Sequence, residues 1–155
     1  MRYLPLLLVA AVLTAPAAGV RAQETKEPNA VPKGVWLADL TAAKAKAKAQ
    51  NKRLFVNFTG SDWCKWCVTL HKEVYDTEEF LAYADKNLVL LELDYPQAKP
   101  QDERTKAQNE KALQDFGVKG FPTIVVLRPA GDEAGRLGYM KGGPKAFLEV
   151  LEKTK

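Results

Sequence analysis

The chain has two cysteines, Cys64 and Cys67, with only Lys65 and Trp66 between them. What flanks this pair constrains the fold more than any other feature. The apolar run Leu54-Phe55-Val56-Asn57-Phe58 precedes it. Near-continuous apolar character of that kind predicts a strand buried on both faces. Val68-Thr69-Leu70-His71-Lys72-Glu73-Val74 follows and is compatible with a helix. The loop Thr59-Gly60-Ser61-Asp62 then delivers Cys64 to a helix N-terminus. There the unpaired N–H groups and the helix dipole favour a negative charge. They favour the thiolate, which is the nucleophile, over the thiol. Cys67 lies one turn on, placed to attack a mixed disulfide formed by Cys64 and release the product.

The N-terminus bears on how the cysteines are read. Residues 1–22 have the pattern of a secretory signal. Arg2 supplies the positive start, and residues 4–13 are an apolar run broken only by Pro5. Ala15-Pro16-Ala17-Ala18-Gly19 is a small-residue exit. Cleavage is expected after Ala22, with Ala17 and Ala18 as alternative cut points. The competing reading is an uncleaved anchor, but the run is too short to span a bilayer as a mature helix. Exported domains stapled by disulfides carry several pairs at wider spacing. A single pair this close closes almost no loop and removes little entropy from the unfolded chain, so stapling explains it poorly.

Metal binding explains it poorly too. Zinc wants four ligands, and only His71, the one histidine, adds a third of the usual kind. Haem attachment needs histidine directly after the second cysteine, where Val68 stands. No metal and no cofactor are expected. His71 lies four residues after Cys67 and shares its helix face, so it reads either as a partly exposed surface residue or as a proton relay. The formal charge of +4 falls to about +2 once Arg2 and Arg21 leave with the signal. The basic residues form no cluster of the kind that binds nucleic acid, so no such partner is expected.

Residues 23–34 are polar, contain Pro28 and Pro32, and read as a flexible lead. Residues 35–50 read as a helix, with Leu37, Leu40, Ala43 and Ala47 inward, Trp36 packing, and Lys44, Lys46 and Lys48 solvated. A strand at 53–58 and the helix at 64–74 come next. Asp76 and Glu79 fit a capping box that starts another helix, with Phe80, Leu81 and Ala84 inward. A second strand spans 88–93, and a loop with Pro96 and Pro100 spans 95–101. The helix at 102–116, with Ala107, Leu113 and Phe116 on its apolar side, stops at Gly117. Residues 123–127 and 135–139 read as a hairpin around Pro129-Ala130-Gly131-Asp132. Gly142-Gly143-Pro144 opens a last helix with Phe147, Leu148 and Leu151 buried. The 155 residues suit one domain with a tail. This order predicts an α/β fold with a mixed sheet of about four strands, the last pair antiparallel, and helices on both faces.

Trp63-Cys64-Lys65-Trp66-Cys67 after a strand, Gly120-Phe121-Pro122-Thr123 before a strand, and Gly142-Gly143 before the last helix resemble a thioredoxin-fold protein in order and spacing. The stretch from Phe55 to Cys64 is similar to exported bacterial thioredoxin-like proteins. It also resembles the periplasmic C-terminal domain of the membrane protein that passes electrons across the inner membrane. The resemblance implies a thioredoxin-like domain over 35–155 and an exported thiol–disulfide oxidoreductase, periplasmic or secreted, acting on protein disulfides. Cys64 would attack and Cys67 resolve. Pro122 would be a cis proline beside the cysteines, and the backbone of Phe121 would pair with an extended substrate. Trp63 would shield one side of the site and contact partners. A redox partner protein is implied, a membrane electron donor among the candidates, and the protein would act as a monomer.

The sequence departs from the family pattern at two places. The family's buried acid on the strand before the motif is here Asn57, which cannot accept a proton at neutral pH. Base assistance to Cys67 then comes from elsewhere, such as water, Asp62 or Glu92. Between the cysteines stand Lys65 and Trp66. The lysine charge favours the Cys64 thiolate and hence the reduced form. The pair is neither the Gly-Pro of thioredoxins nor one ending in the histidine of the family's strong oxidants, which leaves the direction of electron flow open; a reductase or electron carrier is expected ahead of a strong oxidant. Trp66 either restricts access or binds apolar substrate segments. Asp62 reads as a modulator of the thiol or as the helix-start residue. The alternative to catalysis is a binding or redox-sensing module on the same fold.

Overall fold

The computed structural model describes residues 34–154. The expected signal at 1–22, and all of the expected lead except Gly34, lie outside the described residues. Five strands form one sheet in the order β1-β3-β2-β4-β5. They are β1 Trp36–Leu37, β2 Arg53–Thr59, β3 Leu88–Asp94, β4 Thr123–Leu127 and β5 Glu133–Leu137. β3 pairs parallel with both β1 and β2, while β4 pairs antiparallel with β2 and β5. The helices are α1 Leu40–Gln50, α2 Lys65–Leu70, α3 Glu78–Asn87, α4 Glu103–Asp115 and α5 Gly143–Leu151. A π-helical turn, His71–Tyr75, continues α2.

The central strand shows why both faces must be covered. Six consecutive residues of β2, from Leu54 to Thr59, are buried. Successive side chains of a strand point to opposite faces. Phe55 enters one core with Leu70, Val74, Tyr75, Phe80, Phe147 and Leu151, so α2, its π turn, α3 and α5 cover that face. Leu54, Val56 and Phe58 enter the other with Ala43, Ala47 and Ala112, under α1 and α4. Asn57 shares the face of Phe55, and its register partner Glu92 shares the face of Leu90. Two polar residues therefore lie side by side on the face that α2 covers.

The sheet has one strand more than the four expected. Trp36 belongs to that extra edge strand and not to the first helix. Two residues are too short a run to show any periodicity, and only pairing with Leu90 and Leu91 on β3 defines them. α1 starts later, at Leu40, where Asp39 caps it by accepting from the Ala42 N–H at 2.8 Å. The cap of α3 is Thr77 and not Asp76: its hydroxyl accepts from the Phe80 N–H. Asp76 instead ends the π turn. The buried stripe of α4 is Asn109 and Ala112, with Ala107 exposed. The hairpin partner spans Glu133–Leu137, two residues before the expected 135–139, with a register shift between Val126 and Leu127. Gly117 takes the expected left-handed conformation at φ 59°.

Candidate active site

The site is built where β2 stops. Cys64 N donates to Gly60 O at 2.9 Å, closing the loop, and Cys64 itself is the N-cap of α2. Its side chain takes the role of a capping oxygen: Sγ accepts the Cys67 N–H at 3.2 Å. Cys64 and Cys67 are joined as a disulfide with Cα atoms 5.2 Å apart. Both are buried, at 6% and 2% exposure. In the reduced protein the same N–H would meet a Cys64 thiolate, favoured by the helix N-terminus.

Aromatic rings surround the bridge. Trp63 is 43% exposed, and its Nε1–H donates to the Tyr95 carbonyl at 2.8 Å. It meets Phe121 edge-on at 5.7 Å, and Phe121 in turn lies 5.1 Å from Tyr95. Phe121–Pro122 is a cis peptide. Trp66, half exposed, lies over Tyr139 with ring centroids 4.7 Å apart. Tyr139 is steadied by a hydrogen bond from its hydroxyl to Glu73 at 3.0 Å; burial first, and then that bond, raises its phenol pKa. Lys65 is exposed beside the disulfide.

Asp62 does not start the helix, since Cys64 does. Its carboxylate instead accepts three consecutive backbone N–H groups, from Gln97, Ala98 and Lys99, at 3.0, 2.7 and 3.0 Å. These bonds, that from Gln97 foremost, hold its pKa below the ordinary carboxylate value. Its neighbour Ser61 is bound to Asp94 through both N–H and hydroxyl, at 2.9 and 2.6 Å.

On the face of the sheet that α2 and its π turn cover lies a polar network. His71 Nε2 donates to Glu92 at 2.8 Å, the Asn57 amide donates to the same oxygen at 3.2 Å, and the Tyr75 hydroxyl donates to Asn57 at 3.4 Å. Burial alone would lower the His71 pKa, but the hydrogen bond and charge of Glu92, with Asp76 and Asp94, more than offset it and leave it raised. Burial, then the Glu92 charge, pushes the Tyr75 phenol far up and keeps it neutral. His71 is thus the partner of a strand residue and not a free surface group. Among the described residues no cluster of three or more His, Cys, Asp or Glu side chains is arranged to hold a metal.

Sequence reasoning named the two cysteines, Trp63, Lys65, Trp66, Phe121, Pro122 and Asp62, and the fold brings all of them to one end of the sheet. It missed Tyr95, Tyr139 and Asp94. Tyr95 follows β3 directly, so its position was readable once β3 was known to lie beside β2. Tyr139 gave no local signal.

Comparison with known proteins adds to this. A family model described as thioredoxin-like matches residues 35–129. The disulfide bond reductase DsbH of Chlamydia pneumoniae is 30% identical over 136 residues, which is 88% of this chain and 81% of that one. The thioredoxin-related protein DsbJ of the same organism is 29% identical over 119 residues, 77% of this chain but 33% of that protein's length. The solved structure of a DsbH oxidoreductase superposes with a TM-score of 0.77 at 30% identity, covering 89% of this chain and 94% of that one.

Proposed function

The chain belongs to the thioredoxin-like family, and from that membership we propose that it is an exported disulfide reductase acting as a monomer on protein disulfides. Its kinship is with thiol–disulfide oxidoreductases. The observation that carries the reading is Cys64 Sγ at the N-cap of α2, bridged to Cys67 and bonded to the Cys67 N–H. One sulfur sits where a thiolate is stabilised, and the other sits one turn away, where it can displace it.

The Cys64 thiolate attacks one sulfur of a substrate disulfide. The other substrate sulfur leaves as thiolate and takes a proton from water. Cys67 then gives up its proton and attacks Cys64 Sγ, releasing the second substrate thiolate and closing the Cys64–Cys67 disulfide. Two electrons pass from enzyme to substrate, and a dithiol partner protein, such as a membrane electron donor, restores them. With Asn57 unable to accept a proton, the Glu92–His71 pair is the acceptor for Cys67. Glu92 lies next to Asn57 on the face covered by α2, and His71 is one turn beyond Cys67. Trp63, Phe121 and Pro122 form one wall against the substrate and Trp66 the other, while Lys65 contributes positive charge. Export rests on the leader pattern of residues 1–22.

Equilibration with glutathione tests the direction. The potential should fall near the reductant end, about −270 mV, and far from about −120 mV. A Cys67→Ser variant should hold substrates as mixed disulfides through Cys64. A pair that never forms a disulfide reversibly would end the oxidoreductase reading. Partners retained without any disulfide would instead support a non-catalytic binding module.

A further inference from the structure

Three consecutive residues before Cys64 grip one stretch of chain, running from Asp94 at the end of β3 into the connection to α4. Ser61 holds Asp94, Asp62 holds the amides of Gln97, Ala98 and Lys99, and Trp63 holds the Tyr95 carbonyl. Lys99 Nζ closes the circle by donating to Ser61 Oγ at 3.2 Å. The root of the connection is fixed from below: Tyr95 N donates to Thr59 O at 2.8 Å, and Asn109 and Gln101 both donate to the Asp94 carbonyl. Its tip is different. Gln97, Ala98 and Lys99 are exposed. The Asp62 carboxylate is what orders the tip, and a carboxylate taking several backbone N–H groups forms strong, charge-assisted bonds.

We infer that Asp62 is a positioning residue that latches residues 95–101 as a lip of the active site, and so favours extended polypeptide disulfides over small ones. The inference rests on the oxidoreductase reading of Cys64 and Cys67. The lip carries Tyr95, whose ring and carbonyl contact Phe121 and Trp63 respectively. These three side chains form a continuous ledge beside the disulfide. A polypeptide must lay residues on either side of its cysteine along that ledge, whereas a small aryl disulfide needs only the sulfur. All the carboxylate bonds of Asp62 go to the lip and none to Cys64, which separates a role in docking from a role in tuning the thiol.

The test compares insulin with dithiobis(nitrobenzoate) as substrates of the reduced full-length protein. Asp62→Ala should raise the KM for insulin about tenfold, with kcat within about twofold, because docking and not chemistry is impaired. The rate with the aryl disulfide should not change, nor the pH midpoint for alkylation of Cys64. Amide exchange at residues 97–99 should quicken. Ala98→Pro removes the shortest of the three N–H bonds while keeping the charge at Asp62, and should raise the insulin KM in the same way. Equal slowing on both substrates, a shifted alkylation midpoint, or an unchanged insulin KM in either variant would overturn the latch. Wild-type protein that reduces neither substrate would overturn the oxidoreductase reading, and the latch with it, which is a distinct result.

Discussion

Asn57 stands where the resemblance places a buried acid, and the proposed proton acceptor for Cys67 lies beside it. Asn57 is 1% exposed and spends its amide on Glu92, which also takes the His71 N–H. Glu92→Gln keeps the shape but cannot take a proton. It should slow release of the mixed disulfide by about 10²-fold, the usual worth of a general base, while leaving its formation nearly unchanged. Single-turnover trapping at successive times separates the two steps. His71 gives a pH signature of its own. Its folded pKa is raised, so the stability it contributes is fully present below about pH 6.5 and lost as pH rises through the higher folded value. Wild type should therefore exceed His71→Gln in Tm by more at pH 6 than at pH 9, and an equal gap at both would remove the charged His71–Glu92 pair. Both residues were visible in the sequence. Their pairing was not, because it depends on the β2–β3 register that sets Asn57 opposite Glu92.

At the scale of elements, the loop between β2 and α2 is the most tightly specified piece. A Cβ on Gly60 would lie 2.5 Å from the Trp63 ring. Gly60→Ala should therefore push the indole out and break its bond to the Tyr95 carbonyl, a loss of about 1 kcal/mol. A red shift in tryptophan emission, with a raised KM for protein disulfides, would show it. Thr77→Ala removes the hydroxyl that caps α3 and should cost about 1 kcal/mol in denaturant unfolding, with no effect on redox potential. The element boundaries that sequence patterns missed are of this kind. Asp76 and Thr77 are both good capping residues, and which one caps α3 depends on where the preceding π turn ends. π turns are uncommon inside helices and often sit at functional positions; this one begins at His71.

At the scale of the molecule, the half of the core that supports the site is aromatic. Phe147 from α5 meets Phe55, Tyr75 and Phe80 at 6.2, 6.0 and 6.3 Å. Phe147→Ala should cost about 3–5 kcal/mol. Fluorescence and circular dichroism should still report one coincident transition, because the same cluster holds α2, α3 and α5 against one sheet. The C-terminal end is tied in by Arg53, which donates to the Leu151 and Thr154 carbonyls and bonds to Tyr83. The sequence by itself determined the dithiol, the strand before it and the helix after it. It also determined the alternation that demands helices on both faces of a sheet. These follow from local periodicity, from glycine and proline placement, and from the chemistry of two cysteines three positions apart. Only the tertiary structure decided the edge strand at Trp36, the pairing of His71 with Glu92, and the turn of Asp62 toward residues 97–99. Each joins residues at least 21 positions apart in the chain, and no local pattern encodes which strand lies beside which or where a loop returns.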